Sequence, residues 1–368
     1  MKTMVKILLT LLFASIFFGC DNTYKDINTG DGVMFYGSDD NNGKFYGFIE
    51  GGKYYIEDTE ESKCNWLYKV ISNGKDVYSL TMEIFKDEQG LYQDTTWVIR
   101  KNGKLMARDL FEGYLCFING KVRLYTVNRF LTFDPYTPQY WEDGVIYDVD
   151  LEAPSFESMT IYPYIQSVKE YKGDLYYMGF LRAANGKTQC MWKNSKLLFH
   201  NDPTLNSNTT AKGFVFENND VIMLTQYVTS INDINNPHCL AATYRNGKLE
   251  HIIGDTALFK TNRGYNVYPI GIGQNGDDIY IGVMEKKGNY TFGDLVLYKN
   301  YQEIFRKDLT MNFTCFLVAG EDIYIVYEPY IDSNQIIFTF LKNGKEVRSL
   351  MGQPRDGLHF QGIVDTHK

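Results

Sequence analysis

Asp322-Ile323-Tyr324-Ile325, followed by Lys342-Asn343-Gly344-Lys345, is the pair of segments on which the reading of this chain turns. The first has an acidic start and then the alternation of a half-buried strand. The second sets Asn-Gly, which tolerates the positive φ of a type I′ turn, between strand residues, and so marks a two-residue hairpin. The turn recurs at Lys101-Asn102-Gly103-Lys104, Lys193-Asn194-Ser195-Lys196 and Arg245-Asn246-Gly247-Lys248, with weaker copies at Gly51-Gly52-Lys53, Glu142-Asp143-Gly144 and Lys299-Asn300-Tyr301. Ahead of the turns the strand start recurs at Gly32-Val33-Met34, Asp76-Val77-Tyr78, Lys121-Val122-Arg123, Asp174-Leu175-Tyr176, Asp220-Val221-Ile222 and Asp278-Ile279-Tyr280.

Successive starts lie 44, 45, 53, 46, 58 and 44 residues apart. A period of about 40–50 residues carrying about four short strands is the pattern of a propeller blade. The expected fold is therefore all-β, a β-propeller of seven four-stranded blades. Six or eight blades are the alternatives, because the first, third and sixth copies are degenerate. The chain opens at Val33 already on the second strand of its blade. Residues 358–364 follow the seventh hairpin and are expected to supply the missing inner strand, closing the ring by pairing the N- and C-terminal strands and removing an exposed edge. Two packed β-sandwiches, the competing fold, would not need a constant period.

The first thirty residues address the compartment. Lys2 and Lys6 precede an apolar run over 7–18, broken only by Thr10 and Ser15, with Gly19-Cys20 directly behind it and a polar stretch from Asp21. That is the layout of a cleaved export signal, and it is shorter than the ~20 apolar residues that cross a ~30 Å hydrocarbon core. Gly19-Cys20 resembles the bacterial lipoprotein family, in which a small residue precedes a cysteine that is lipidated and becomes the new N-terminus. Phe17-Phe18 depart from the usual branched-aliphatic pattern and look like the relaxed versions of Bacteroidota. The resemblance implies a signal peptide over 1–19 and a lipidated Cys20 with a tether over 20–30; the repeats place the propeller over 31–368. The resemblance also implies attachment to the outer membrane of the cell envelope, facing the periplasm or the surface. Asp94-Thr95-Thr96 and Asp255-Thr256-Ala257 resemble O-glycosylation acceptors of exported Bacteroidota proteins, which makes Thr95 and Thr256 candidate modification sites.

Net charge is −8 and no cluster of lysines and arginines stands out, so nucleic acid is not an expected partner and a ligand is expected to be neutral or cationic. Six cysteines become five once Cys20 is lipidated. Cys64, Cys116, Cys190, Cys239 and Cys315 all sit in or beside apolar runs and read as buried free thiols. The five histidines are scattered without metal-ligand spacing. Asp26-Ile27-Asn28-Thr29-Gly30-Asp31-Gly32 resembles a calcium loop but has Gly37 where a bidentate carboxylate is required, so it reads as tether. Ser38-Asp39-Asp40-Asn41-Asn42-Gly43-Lys44-Phe45 looks like the Asp-box of sialidase-type propellers, with one residue too many before the glycine. A hairpin loop explains it better. There is no Gly-x-Ser-x-Gly elbow and no phosphate-cradling glycine loop, and no cofactor or metal is expected.

One segment departs from the repeat. Residues 128–141 hold five aromatics and two prolines between a second strand and its turn. Phe133, Tyr136, Tyr140 and Trp141 are the candidate binding residues, since rings on a propeller's loop face stack on a sugar or peptide; the alternative is packing between blades. The expected function is a non-catalytic, membrane-anchored module that binds a glycan, a peptide or an envelope protein. The alternatives are a glycan-processing hydrolase or lyase, with Asp39, Asp40, Glu83 and Asp134 as the acids on candidate loops, and a structural subunit of an envelope complex. Intact-mass spectrometry of the membrane-extracted protein is expected to show acylated Cys20 as the first residue. An unmodified Cys20, or cleavage elsewhere, removes the lipoprotein reading.

Overall fold

The computed structural model describes residues 33–39, 44–49, 54–58, 65–86, 89, 92–126, 137–153, 162–183, 186–200, 211–228, 239–262, 264–288, 292–329, 336–352 and 358–365. The first sheet holds β1 (Val33–Asp39), β2 (Lys44–Ile49) and β3 (Tyr54–Asp58). Next come β4 (Asn65–Ser72), β5 (Val77–Lys86), β6 (Tyr92–Lys101) and β7 (Lys104–Leu110), then β8 (Gly113–Ile118), β9 (Lys121–Thr126), β10 (Gln139–Glu142) and β11 (Val145–Asp148). They are followed by β12 (Tyr162–Tyr171), β13 (Asp174–Ala183), β14 (Gly186–Lys193) and β15 (Lys196–His200), and by β16 (Ala211–Glu217), β17 (Asp220–Val228), β18 (Cys239–Arg245) and β19 (Lys248–Ile253). A short helix α1 (Thr256–Thr261), capped by the Asp255 carboxylate, leads into the last large sheet. That sheet holds β20 (Tyr265–Asn275), β21 (Asp278–Lys287), β22 (Gly293–Lys299), β23 (Gln302–Ala319), β24 (Asp322–Pro329), β25 (Ile336–Lys342) and β26 (Lys345–Gly352). The final strand β27 (Leu358–Asp365) returns to the first sheet, whose order is β27-β1-β2-β3.

The molecule is an all-β propeller. Among the described residues the strands form six sheets, five of four strands and one of seven, so the count of sheets is the alternative of six rather than seven separate ones. The reason lies in β23. Its first part pairs with β22 as far as Thr310, and its second part, from Thr310 to Ala319, pairs with β24. No glycine or proline interrupts residues 302–319, so the backbone runs from one half of the sheet into the other without a break. The halves nevertheless pack against each other: Met284, Leu295 and Leu297 of one meet Ile325, Tyr327 and Leu341 of the other in one buried cluster. The terminal strands close the ring as the tail suggested, β27 pairing antiparallel with β1 from Val33↔Asp365 to Asp39↔Leu358.

Six of the seven strand starts lie on the second strand of their sheet and the seventh on β24, the fifth strand of the large sheet; each described copy of the turn joins a third strand to a fourth or, at Asn343, the sixth to the seventh. Both central turn residues take positive φ, for example 48° at Asn102 and 76° at Gly103, as type I′ geometry demands. The asparagine of the turn then reaches back to the strand that carries the start. In five copies (Asn102, Asn194, Asn246, Asn300, Asn343) its N–H donates to the carbonyl of the residue after the aspartate at 2.8–2.9 Å. Its Oδ1 accepts from that residue's N–H at 2.8–2.9 Å, and its Nδ2 donates to the aspartate at 2.6–2.8 Å. The lysine before the asparagine completes the clasp in four copies. Its ammonium sits 2.7–3.0 Å from the same aspartate and 5.4–5.7 Å above the tyrosine two residues further on. In the fifth, Arg245 takes the lysine's place.

The third sheet carries the same clasp with its charges exchanged. Lys121 stands where the others have aspartate, and Glu142-Asp143 replace Lys-Asn. Lys121 Nζ lies 2.9 Å from Glu142 and 3.0 Å from Asp143, and Arg123 Nε 2.5 Å from Glu142. The degenerate third copy is thus a reciprocal substitution that keeps the attraction.

These contacts set an acid limit. Hydrogen bonds from Lys101, Lys193 and Lys299 hold the Asp76, Asp174 and Asp278 carboxyls below the usual range; for Asp220 and Asp322 the asparagine amides of Asn246 and Asn343 act first. A carboxyl depressed in the folded state stabilises at pH above the ordinary carboxylate value, and that contribution disappears as pH falls through the folded one. The urea midpoint is therefore expected to fall as pH drops below about 4, and the fall to be shallower in Asp76→Asn/Asp322→Asn. An equal slope in that variant would place the acid sensitivity elsewhere.

Candidate functional site

The inner strands β27, β4, β8, β12, β16, β20 and the second part of β23 surround the axis, adjacent ones meeting along most of the ring. Six of the seven carry a bulge, which skips Gln361, Tyr68, Gln166, Lys212, Ile270 and Thr314. A bulge re-aims the residue beside it. At the level just past it the strands present Gly362, Lys69, Ser167, Gly213, Gly271 and Cys315, and β8 presents Tyr114 at the matching position. Five are small and two are large. Gly362 is required there: a Cβ would stand 2.2 Å from the Tyr36 hydroxyl, which occupies its place.

The groups gathered here are two amines, two thiols and three hydroxyls. Lys69 Nζ lies 5.8 Å from the Tyr114 ring centroid. Lys169 donates to the Phe214 carbonyl, with its Nζ 4.9 Å from the Phe214 ring. The hydroxyls are those of Tyr114, Ser167 and Tyr36, and the thiols those of Cys116 and Cys315. Burial pushes the Lys169 amine down to about 8, with the Lys69 charge pushing the same way. It lowers Lys69 as well, against the pull of Cys315 and Cys116. The same desolvation raises the Cys116 and Cys315 thiols to about 12, the Tyr114 phenol to about 12 and the Tyr36 phenol further. Among the described residues no carboxylate pairs with either lysine.

On the face formed by the tight turns, a hollow of about 510 Å³ lies between the first hairpins of three neighbouring sheets, lined by Tyr171, Lys172, Phe216, Asn218, Gln274, Gly276 and Asp277. Tyr171 and Phe216 stack with centroids 4.1 Å apart. Gln274 donates to the Phe216 carbonyl and accepts from its N–H, tying β20 to β16.

The residues picked out in the sequence are dispersed. Trp141 is 5% exposed and packs with Tyr78, Leu80, Ile99, Leu115 and Leu124 between two sheets. Tyr140 stands between Tyr125 and Tyr147, centroids 5.2 and 5.0 Å away, with the Arg123 guanidinium 4.6 Å from its ring. For these two the reading as ligand-stacking rings is corrected: β10 turns them into blade packing. Phe133, Tyr136, Asp40, Asp134 and Cys20, and the side chain of Asp39, lie outside the described residues. Glu83 is buried and held by Arg100, with Arg108 3.7 Å away, so it serves an ion pair rather than a free acid. Thr95 and Thr256 are both exposed, and Cys116, Cys190, Cys239 and Cys315 are free thiols. The sequence reading passed over Lys69 and Lys169; their only signal was a lysine placed within an inner strand.

No family model matches the chain, and no curated protein matches it. Similar solved structures include a dihydro-heme d1 dehydrogenase (TM-score 0.46, 8% identity, 92% of this chain and 76% of that one). They also include the periplasmic gluconolactonase of Pseudomonas aeruginosa (0.46, 12%, 90% and 98%) and Drosophila plexin A in complex with semaphorin 1b (0.38, 7%, 81% and 85%). At these scores the fold rests on the strand pairing above, and two enzymes beside a plexin do not bear on whether this chain is one.

Truncating Trp141 to alanine is expected to lower unfolding free energy by about 3–5 kcal/mol, the range for a buried large aromatic. A loss under about 1 kcal/mol in chemical denaturation would return this ring to the list of ligand contacts.

Proposed function

We propose that this chain is a non-catalytic binding module of the cell envelope, anchored to the outer membrane through Cys20, that takes a glycan, peptide or protein partner on one face of the propeller. The observation that carries the reading is the inequality of the two faces. At one end of the strands the connections are tight turns, such as Asn102-Gly103 and Asn246-Gly247, fastened by the clasps. At the other end the strands are joined by the long segments 127–138, 149–161, 201–210 and 229–238. Binding residues concentrate on connections that a rigid scaffold holds in place. Phe133 and Tyr136 belong to the first of these segments and are the rings we assign to the ligand. We also count the seven-stranded sheet as two blades sharing β23, which makes seven blades; the buried cluster between its halves supports this.

The test is a glycan and peptide array probed with purified protein and with Phe133→Ala/Tyr136→Ala. The expected result is binding to one ligand class, at least tenfold weaker in the variant, with an unchanged melting temperature. A blank array would favour a structural envelope subunit, to be sought by pull-down. Cleavage of the bound glycan would make the chain a hydrolase or lyase.

A further inference from the structure

The axis holds positive charge that nothing among the described residues cancels. Lys69 comes from β4 and Lys169 from β12, on inner strands of different sheets. Their nearest partners are neutral: the Tyr114 ring for Lys69, and the Phe214 ring and carbonyl for Lys169. A ring face or one carbonyl offsets only part of what an ammonium loses on leaving water. The acidic groups close by are thiols and phenols, and burial keeps Cys116, Cys315, Tyr36 and Tyr114 protonated at neutral pH. The Lys169 amine stays largely charged at pH 7. Among the described residues nothing compensates this charge.

We propose that the axis is an anion seat, in which Lys69 and Lys169 together hold one small carboxylate or inorganic oxyanion, with the Tyr114 and Ser167 hydroxyls as neutral hydrogen-bonding partners. The small residues at the same level, Gly213, Gly271, Gly362, Ser167 and Cys315, keep other bulky side chains off this ring of positions. The seat reverses, locally, the charge of a molecule that is −8 overall. It is separate from the loop-face reading, and either stands if the other fails.

The experiment titrates the full-length purified protein with sulfate, phosphate and acetate, against chloride at matched ionic strength, following thermal unfolding and heat of binding. Wild type is expected to show saturable stabilisation by at least one of the three. Affinity should fall at least tenfold in Lys69→Met and in Lys169→Met, and should be kept in Lys172→Met on the turn face. Both axial variants should also unfold at higher temperature than wild type in anion-free buffer, since an uncompensated charge is gone. Should they fail to fold, labelling of wild type with an amine-reactive reagent gives the answer: saturating anion should slow modification of Lys69 and Lys169 at least tenfold. A response no greater than chloride's, one retained in both axial variants, or labelling unchanged by anion would overturn the proposal.

Discussion

The structure hangs on a hydrogen-bonded loop between an asparagine side chain and the backbone of a strand two removed from it in sequence order. A type I′ turn alone fixes a hairpin. It does not fix how that hairpin sits on the rest of its sheet. When Asn102 or Asn343 bonds both the N–H and the C=O of one residue on the strand that carries the start, the turn is registered to the sheet interior. The aspartate and lysine add charge to the same junction, and because they are exposed each pair adds little on its own. Their value lies in repetition, since every blade so built presents its inner strand at the same height. The level at which Lys69, Tyr114 and Ser167 meet is a product of that alignment.

The repeat was legible because its two markers are local. Asp-x-Tyr and Lys-Asn-Gly touch each other, so the spacing between them reports one sheet, and the spacing between copies reports the next. The swapped copy at Lys121 and Glu142 looked degenerate because a pattern of residue types hides a conserved product of charges. The shared strand β23 was illegible for another reason. Nothing in Leu309-Thr310-Met311 states whether a chain will turn or continue, and only the packing of the halves decides it.

The site was less legible than the fold. Trp141 and Tyr140 drew attention by composition, but aromatic residues in a propeller are above all interblade filler, and β10 spends both that way. Glu83 looked available and proved to be matched by two arginines. Lys69 and Lys169 drew none, because a single lysine in a strand is ordinary until bulges on several inner strands bring such residues to a common axis. Convergence of this kind is a property of closure, which no single repeat carries.

Closure by β27 also decides how the molecule bears force. The chain enters the ring at Val33, on a strand held along its length by β2 on one side and β27 on the other. A pull applied along β1 loads both ladders in shear, so many bonds must fail together. Had the chain begun on an outer strand, the same pull would peel one ladder bond by bond. β27 lies far downstream of β1 in sequence, so a chain emerging N-terminus first gains that mechanical grip only once β27 has arrived.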